Sequence, residues 1–217
     1  MSDFATLREV MVDTQIRPSD VTKFPILDAM LKIPREHFVP RDKRDVAYIG
    51  ESMPLGGDRV VMDPRTLAKL LDALDITQSE LVLDIGSGLG YSSALLSLLA
   101  EAVVSIEDDE TRVADSEEAI QDMGLDNVFL LQGVLNEGAA QHGPYDVILL
   151  QGAVEEVPQS LIDQLKEGGR IGAIFVEGMN GEARIGFKRD GCMTWRFAFN
   201  ANLPVLDGFR RAKKFML

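Results

Sequence analysis

A parallel, doubly wound α/β sheet is the fold this 217-residue sequence predicts, and three observations carry it. After about residue 80, short apolar runs alternate with stretches of helical length. The runs are continuous rather than alternating, as in strands covered by helices on both faces. A glycine-rich turn, DIGSGLG over 84–90, separates the first run from the helix after it, where an open α/β sheet places its ligand. The chain reads as a single domain over 1–217, with a helical and loop segment over 1–75 and the α/β core over 76–217.

In the first segment, Phe24, Leu27, Met30, Leu31 and Ile33 recur at helical spacing and Pro34 ends the run. Prolines at 18, 25, 34, 40, 54 and 64 keep its pieces short and speak against a regular strand there. Residues 54–65, PLGGDRVVMDPR, form a loop rich in turn residues. Five strands are then expected: LVLDIG (81–86), VVSIE (103–107), VFLLQ (128–132), YDVILLQ (145–151) and RIGAIF (170–175). Helices are expected over 91–100, 109–124 and 158–169, and Gly168-Gly169 marks the turn into the fifth strand. The right-handed crossover rule makes the sheet parallel. ARIGFKRDG and MTWRFAFNA, joined by Arg189-Asp190-Gly191, read as an antiparallel hairpin at the sheet edge, with Trp195 and Phe197 packing on the sheet.

Composition narrows the function. A content of 46% hydrophobic and 26% charged residues is that of an ordinary globular protein. A formal charge of −13 and a pI of about 4.6 argue against nucleic-acid phosphates and anionic membrane surfaces as partners. The basic tail FRRAKKF (209–215) reads as a solvated terminus. One cysteine, Cys192, and two histidines form no zinc framework, so no metal is expected. His37 and His142 have no evident partner acid and read as structural or exposed. The N-terminus lacks the continuous apolar core of a signal peptide and no run reaches membrane-spanning length, which makes the cytoplasm the expected location.

Asp84, Gly86, Ser87, Gly88, Gly90 and Tyr91 stand at the strand-to-helix turn. Glycines there let a ligand approach the backbone. The spacing D-x-G-x-G-x-G differs from the dinucleotide fingerprint, whose third glycine comes one residue later. Glu107 ends the second strand, the place for an acid that accepts both ribose hydroxyls of an adenosine ligand. Asp108 and Asp109 are expected to face water. Asp84, at the loop mouth, would attract an ammonium and repel phosphates. Gln151, at the end of the fourth strand, is expected at the ligand edge.

These residues resemble the class I S-adenosylmethionine-dependent methyltransferases. PREHFVP (34–40), AY (47–48), PLG (54–56), VLDIGSGLGYSSALL, NV (127–128), PYDVIL (144–149) and VPQSLIDQLKEGGRI (157–171) resemble, in order, the protein-L-isoaspartate O-methyltransferase family. The resemblance implies a Rossmann-like core, S-adenosyl-L-methionine as methyl donor, and a damaged aspartyl or asparaginyl carboxylate in a peptide or protein as acceptor. It adds Gly133 and Val134, after the third strand, to the cofactor-binding set. The family there tends to read Gly-Asp-Gly, and this chain has Gly133, Val134 and Leu135.

The same resemblance makes 54–64 the substrate loop, which in the family reads close to P-I-G-x-G-Q-T-I-S-Q-P. Here Asp58 stands for a glycine, Arg59 for a glutamine, Val60 for a threonine, Met62 for the serine that contacts substrate, and Asp63 for a second glutamine. Arg59, Val60, Met62 and Asp63 are therefore the candidate substrate residues, without an assigned catalytic group. Arg59 or Arg65 would attract an anionic substrate and Asp58 and Asp63 would repel one, while Met62 either lines the pocket or belongs to the core. Three readings stay open: an isoaspartyl methyltransferase, a relative that methylates another acceptor such as a small molecule, and a catalytically silent adenosyl-ligand sensor. A nicotinamide dehydrogenase is the outside alternative, disfavoured by the glycine spacing. The oligomeric state is left open.

Overall fold

The computed structural model describes residues 3–178 and 180–211. Helix α1 (Phe4–Met11) starts where the Asp3 side chain accepts from the Thr6 amide, and it runs into a wider turn over Val12–Ile16. Helix α2 (Phe24–Lys32) carries Pro25 in its first turn, where a missing N–H costs nothing. Short 3₁₀ turns over Arg35–His37 and Arg41–Val46 follow.

Strands β1 (Met53–Gly56) and β2 (Arg59–Val61) then pair antiparallel, which corrects the expectation that this segment holds no regular strand. Pro54 is tolerated because the hairpin is a two-stranded ribbon of its own, separate from the main sheet. Helix α3 (Pro64–Leu74) follows directly. The Asp63 carboxylate accepts from the Thr66 amide at 2.9 Å, Pro64 opens the first turn, and Leu67, Leu70, Leu71 and Leu74 are buried.

The main sheet is mostly parallel and doubly wound, as the apolar runs predict. It contains β3 (Leu81–Ile85), β4 (Ala102–Glu107), β5 (Val128–Gln132), β6 (Tyr145–Val154), β7 (Leu165–Glu177), β8 (Asn180–Arg189) and β9 (Cys192–Asn200), in the spatial order β5-β4-β3-β6-β7-β8-β9. Strands β3 to β7 pair parallel, and β8 and β9 pair antiparallel. Helices α4 (Tyr91–Ser97), α5 (Glu110–Asp122) and α6 (Gln159–Asp163) fill the connections. The strand order reverses between β3 and β6, which opens a crevice beyond their carboxyl ends.

One boundary departs from expectation. Helix α6 stops at Asp163 and β7 already begins at Leu165, opposite Tyr145, so Gly168 and Gly169 lie inside the strand. The register slips between the Tyr145 and Val147 pairs, and the surplus residues form a bulge. A Cβ on Gly169 would stand 2.9 Å from the Lys166 carbonyl oxygen and 3.1 Å from that of Asp146, so the bulge folds too tightly for a side chain there.

The β8–β9 turn has positive φ at both Asp190 (51°) and Gly191 (72°), the geometry a two-residue hairpin asks for. Trp195 packs edge-on against Phe175 of β7, with ring centroids 4.7 Å apart. Phe197 is 59% exposed, contrary to expectation; it lies on the edge strand beside an irregularity in the β8–β9 register. His37, His142 and Cys192 are exposed.

The segment after β9 returns across the end of β6. The Ala153 amide donates to the Pro204 carbonyl, the Leu206 amide donates to that of Ala153, and Leu203, Val205, Leu206 and Phe209 are buried. The basic tail is therefore anchored at Phe209, and its residues 212–215 lie outside the described residues.

Candidate active site

Three pieces meet at the crevice: the glycine turn between β3 and α4, the end of β4, and the β1–β2 hairpin folded over both. Beneath them lies a polar spine. Asp84 is fully buried; its Oδ2 accepts from the Ser92 and Ser93 hydroxyls at 2.6 and 2.7 Å, and its Oδ1 from the Gln151 amide at 2.8 Å. Burial pushes this carboxyl up, against the three hydrogen bonds that favour its charged form. Ser105 of β4 lies 3.0 Å from the Ser93 hydroxyl and donates to Ser87 at 2.7 Å.

This geometry corrects two expectations. Asp84 sits under the turn rather than at its mouth, and Gln151 uses its amide on Asp84 rather than on a ligand. Both fix the turn to the sheet. Tyr91 is likewise buried; its ring lies 6.0 Å from that of Phe38 and 4.8 Å from the Arg35 guanidinium, facing the N-terminal segment. Ser92, Ser93 and Ser105 were missed in the sequence, although hydroxyls inside an otherwise apolar helix start and an otherwise apolar strand are a readable signal.

Glu107 is fully buried and its carboxylate is crowded. Arg59 grips it bidentately, Nη1 to Oε1 at 2.8 Å and Nη2 to Oε2 at 2.6 Å. Arg112 Nε donates to Oε1 at 2.9 Å, the Asp108 amide to the same oxygen at 3.2 Å, and the Gly88 amide to Oε2 at 2.8 Å. Asp108 joins the cluster instead of facing water alone, because its Oδ1 accepts from Arg59 at 2.8 Å and Arg112 at 3.0 Å. Partial burial pushes the Asp108 carboxyl up, but the hydrogen bond to Glu107 and the two arginine charges outweigh it and hold it below the usual range. Asp109 caps α5 through the Arg112 amide.

The bare backbone of the turn is lined by the chain's own side chains. Arg59 Nη2 lies 3.0 Å from where a Cβ on Gly86 would stand, and Leu55 Cδ1 lies 2.7 Å from that position on Gly88. Leu206 comes within 3.6 Å of the Gly86 position and 2.6 Å of the corresponding position on Gly152. An adenosyl group needs a strand-end acid with free oxygens. A carboxylate has about four lone-pair sites, and five donors from this chain already converge on Glu107. The donor set is of the right kind, but as folded it does not fit the ligand.

The substrate-loop candidates divide. Arg59 turns inward to Glu107, Val60 is half-buried, and Asp63 is the cap of α3. Met62 is a core residue, 2% exposed, with its carbonyl accepting from Arg35 at 2.9 Å. Among the cofactor candidates, Gly133 donates its amide to the Glu107 carbonyl, and Val134 stands 55% exposed beyond β5. Beside the cluster opens a cavity of about 600 Å³, lined by Leu55, Asp58, Arg59, Asp109, Arg112 and Asp207 among others. Among the described residues, no group of three acids, histidines or cysteines is placed to hold a metal ion.

The family model described as Protein-L-isoaspartate(D-aspartate) O-methyltransferase matches residues 7–186. The chain belongs to this family. The protein-L-isoaspartate O-methyltransferase 2 of Anaeromyxobacter sp. (strain Fw109-5) is 37% identical over 180 residues, covering 83% of this chain and 73% of the relative. The protein-L-isoaspartate O-methyltransferase of Roseiflexus castenholzii (strain DSM 13941 / HLO8) is 33% identical over 208 residues, covering 95% and 94%. A Plasmodium falciparum protein solved in complex with S-adenosyl-L-homocysteine has the same fold, with a TM-score of 0.79 and 18% identity over 95% of this chain and 99% of that one.

Proposed function

We propose that the chain is an S-adenosyl-L-methionine-dependent protein carboxyl O-methyltransferase that acts on isoaspartyl residues of peptides and proteins, a repair activity. The observation that carries this is the glycine turn at the switch point of the sheet, with the Glu107 carboxylate, an acceptor, standing at the same crevice. When bound, the cofactor supplies an electrophilic methyl group. The acceptor carboxylate is already ionised at neutral pH and needs no general base. Orientation in a water-poor crevice is then what the protein contributes. The backbone at Gly86, Ser87 and Gly88 and the acid Glu107 are the proposed cofactor contacts, and the hairpin around Arg59 and Val60 is the proposed substrate side.

The acidic balance of the chain is against a nucleic-acid acceptor. No helix among the described residues is long and apolar enough to cross a membrane; the proposed location is the cytoplasm. One observation favours a second acceptor class: Met62 offers no hydroxyl and is buried, so a carboxylate finds no side-chain donor at that place.

The test is transfer of labelled methyl from S-adenosyl-L-methionine to an isoaspartyl peptide and to its normal aspartyl twin. Base-labile label on the isoaspartyl peptide alone is the expected result. Label on neither, with the cofactor bound, moves the search to another acceptor.

A further inference from the structure

Arg59 is lodged in the crevice but is not at ease there. Its side chain is 7% exposed and its partner Glu107 is 0% exposed, yet its Nε is buried with no hydrogen-bond partner. A buried donor left unpaired is a penalty carried by this conformation and relieved by leaving it. The residue sits at the base of a tip built from Gly56 and Gly57, with φ of 96° and 58°, where the backbone turns without side chains. Among the described residues, the outer face of the tip is held by one ion pair, the exposed Asp58 with Arg210 at 3.3 Å. Beside the guanidinium lies the 600 Å³ cavity, whose walls include the carboxylates Asp58, Asp109 and Asp207. That is room, with matching charge, for an arginine that has left Glu107.

Resting on the adenosyl-ligand reading above, we propose that Arg59 is an internal occupant of the ribose site. It latches the β1–β2 hairpin onto Glu107, and an adenosyl ligand binds only by displacing it, so that this one side chain sets the affinity of the protein for its cofactor. The exchange is chemically even-handed. The ligand offers two hydroxyl donors to the oxygens that Arg59 gives up, and Arg112, the Gly88 amide and the Asp108 amide keep the carboxylate paired throughout. Leu55 moves with the hairpin and uncovers Gly88, which its methyl group now covers.

Titration calorimetry with S-adenosyl-L-homocysteine on the full chain and on Arg59→Gln tests the latch. The expected result is binding at least tenfold tighter in the folded variant, because a neutral amide releases Glu107 without removing the acid. In parallel, hydrogen exchange of the parent at saturating S-adenosyl-L-homocysteine is expected to speed up at residues 56–60. Equal or weaker binding by a folded Arg59→Gln overturns the latch while leaving the cofactor reading intact. Absence of binding in both proteins overturns the cofactor reading and the latch with it. If Arg59→Gln does not fold, the exchange measurement decides alone, and unchanged protection at 56–60 in the ligand-bound parent overturns the proposal.

Discussion

At the end of β4 one carboxylate collects five donors from its own chain, and that crowding governs what substitutions there do. Glu107→Ala leaves Arg59 buried opposite Asp108 alone; removing one partner of a buried ion pair costs about 3–5 kcal/mol, which urea unfolding at pH 7 measures. Asp108 adds a pH dependence. Its folded value lies below the ordinary aspartate value of 3.8, so its contribution is fully present above that pH and lost as pH falls through the folded value. Asp108→Asn should therefore lower the neutral plateau of the stability profile and flatten its acid limb, the two proteins converging at low pH. Met62→Ser, which restores the hydroxyl of the resembling loop, should cost about 2–5 kcal/mol as a core truncation and leave methyl transfer no faster, since the position faces the core. Asp84 was legible as a residue of the site, but its role was not. Whether an acid at the end of a strand meets solvent or three internal donors depends on Ser92, Ser93 and Gln151, and only the fold brings Gln151 to it.

Among the elements, the parallel strands were the most readable, because a strand buried on both faces must be a continuous apolar run. Strand β6 is buried along nine of its ten positions, and the run read from the sequence over 145–151 gives its start and falls three residues short of its end at Val154. The β1–β2 hairpin was not readable. Its prolines argue against a strand, and what overrides them is that both strands of an isolated two-stranded ribbon are edge strands, where Pro54 is tolerated opposite Val60. The end of α6 failed for a related reason: the glycine pair at 168–169 signals a turn, and a bulge inside a strand needs the same backbone freedom. The hairpin is tied to α3 through Asp63, which caps the helix and whose amide donates to the Ser52 hydroxyl oxygen at 3.1 Å. Asp63→Ala is expected to lose about 0.5–2 kcal/mol, the usual worth of an N-cap, read as a lower midpoint in chemical denaturation.

Over the whole molecule, the chain closes on itself at the carboxyl end of the sheet. The segment around Val205 lies beside Ala153 of β6, and Leu206 presses on Gly152 and reaches toward Gly86. Leu206 is 1% exposed, so Leu206→Ala should cost about 2–5 kcal/mol in a two-state unfolding experiment. Local patterns in the sequence determined the fold class, the position of the glycine turn and the acid at the end of β4, because each is written within a few residues by periodicity or by the need for a bare backbone. What fills the crevice was decided by the tertiary structure. Arg59 and Glu107 are 48 residues apart, and Leu206 reaches Gly86 from beyond the last strand. Contacts of that range follow from how the elements pack, and no local spacing records them.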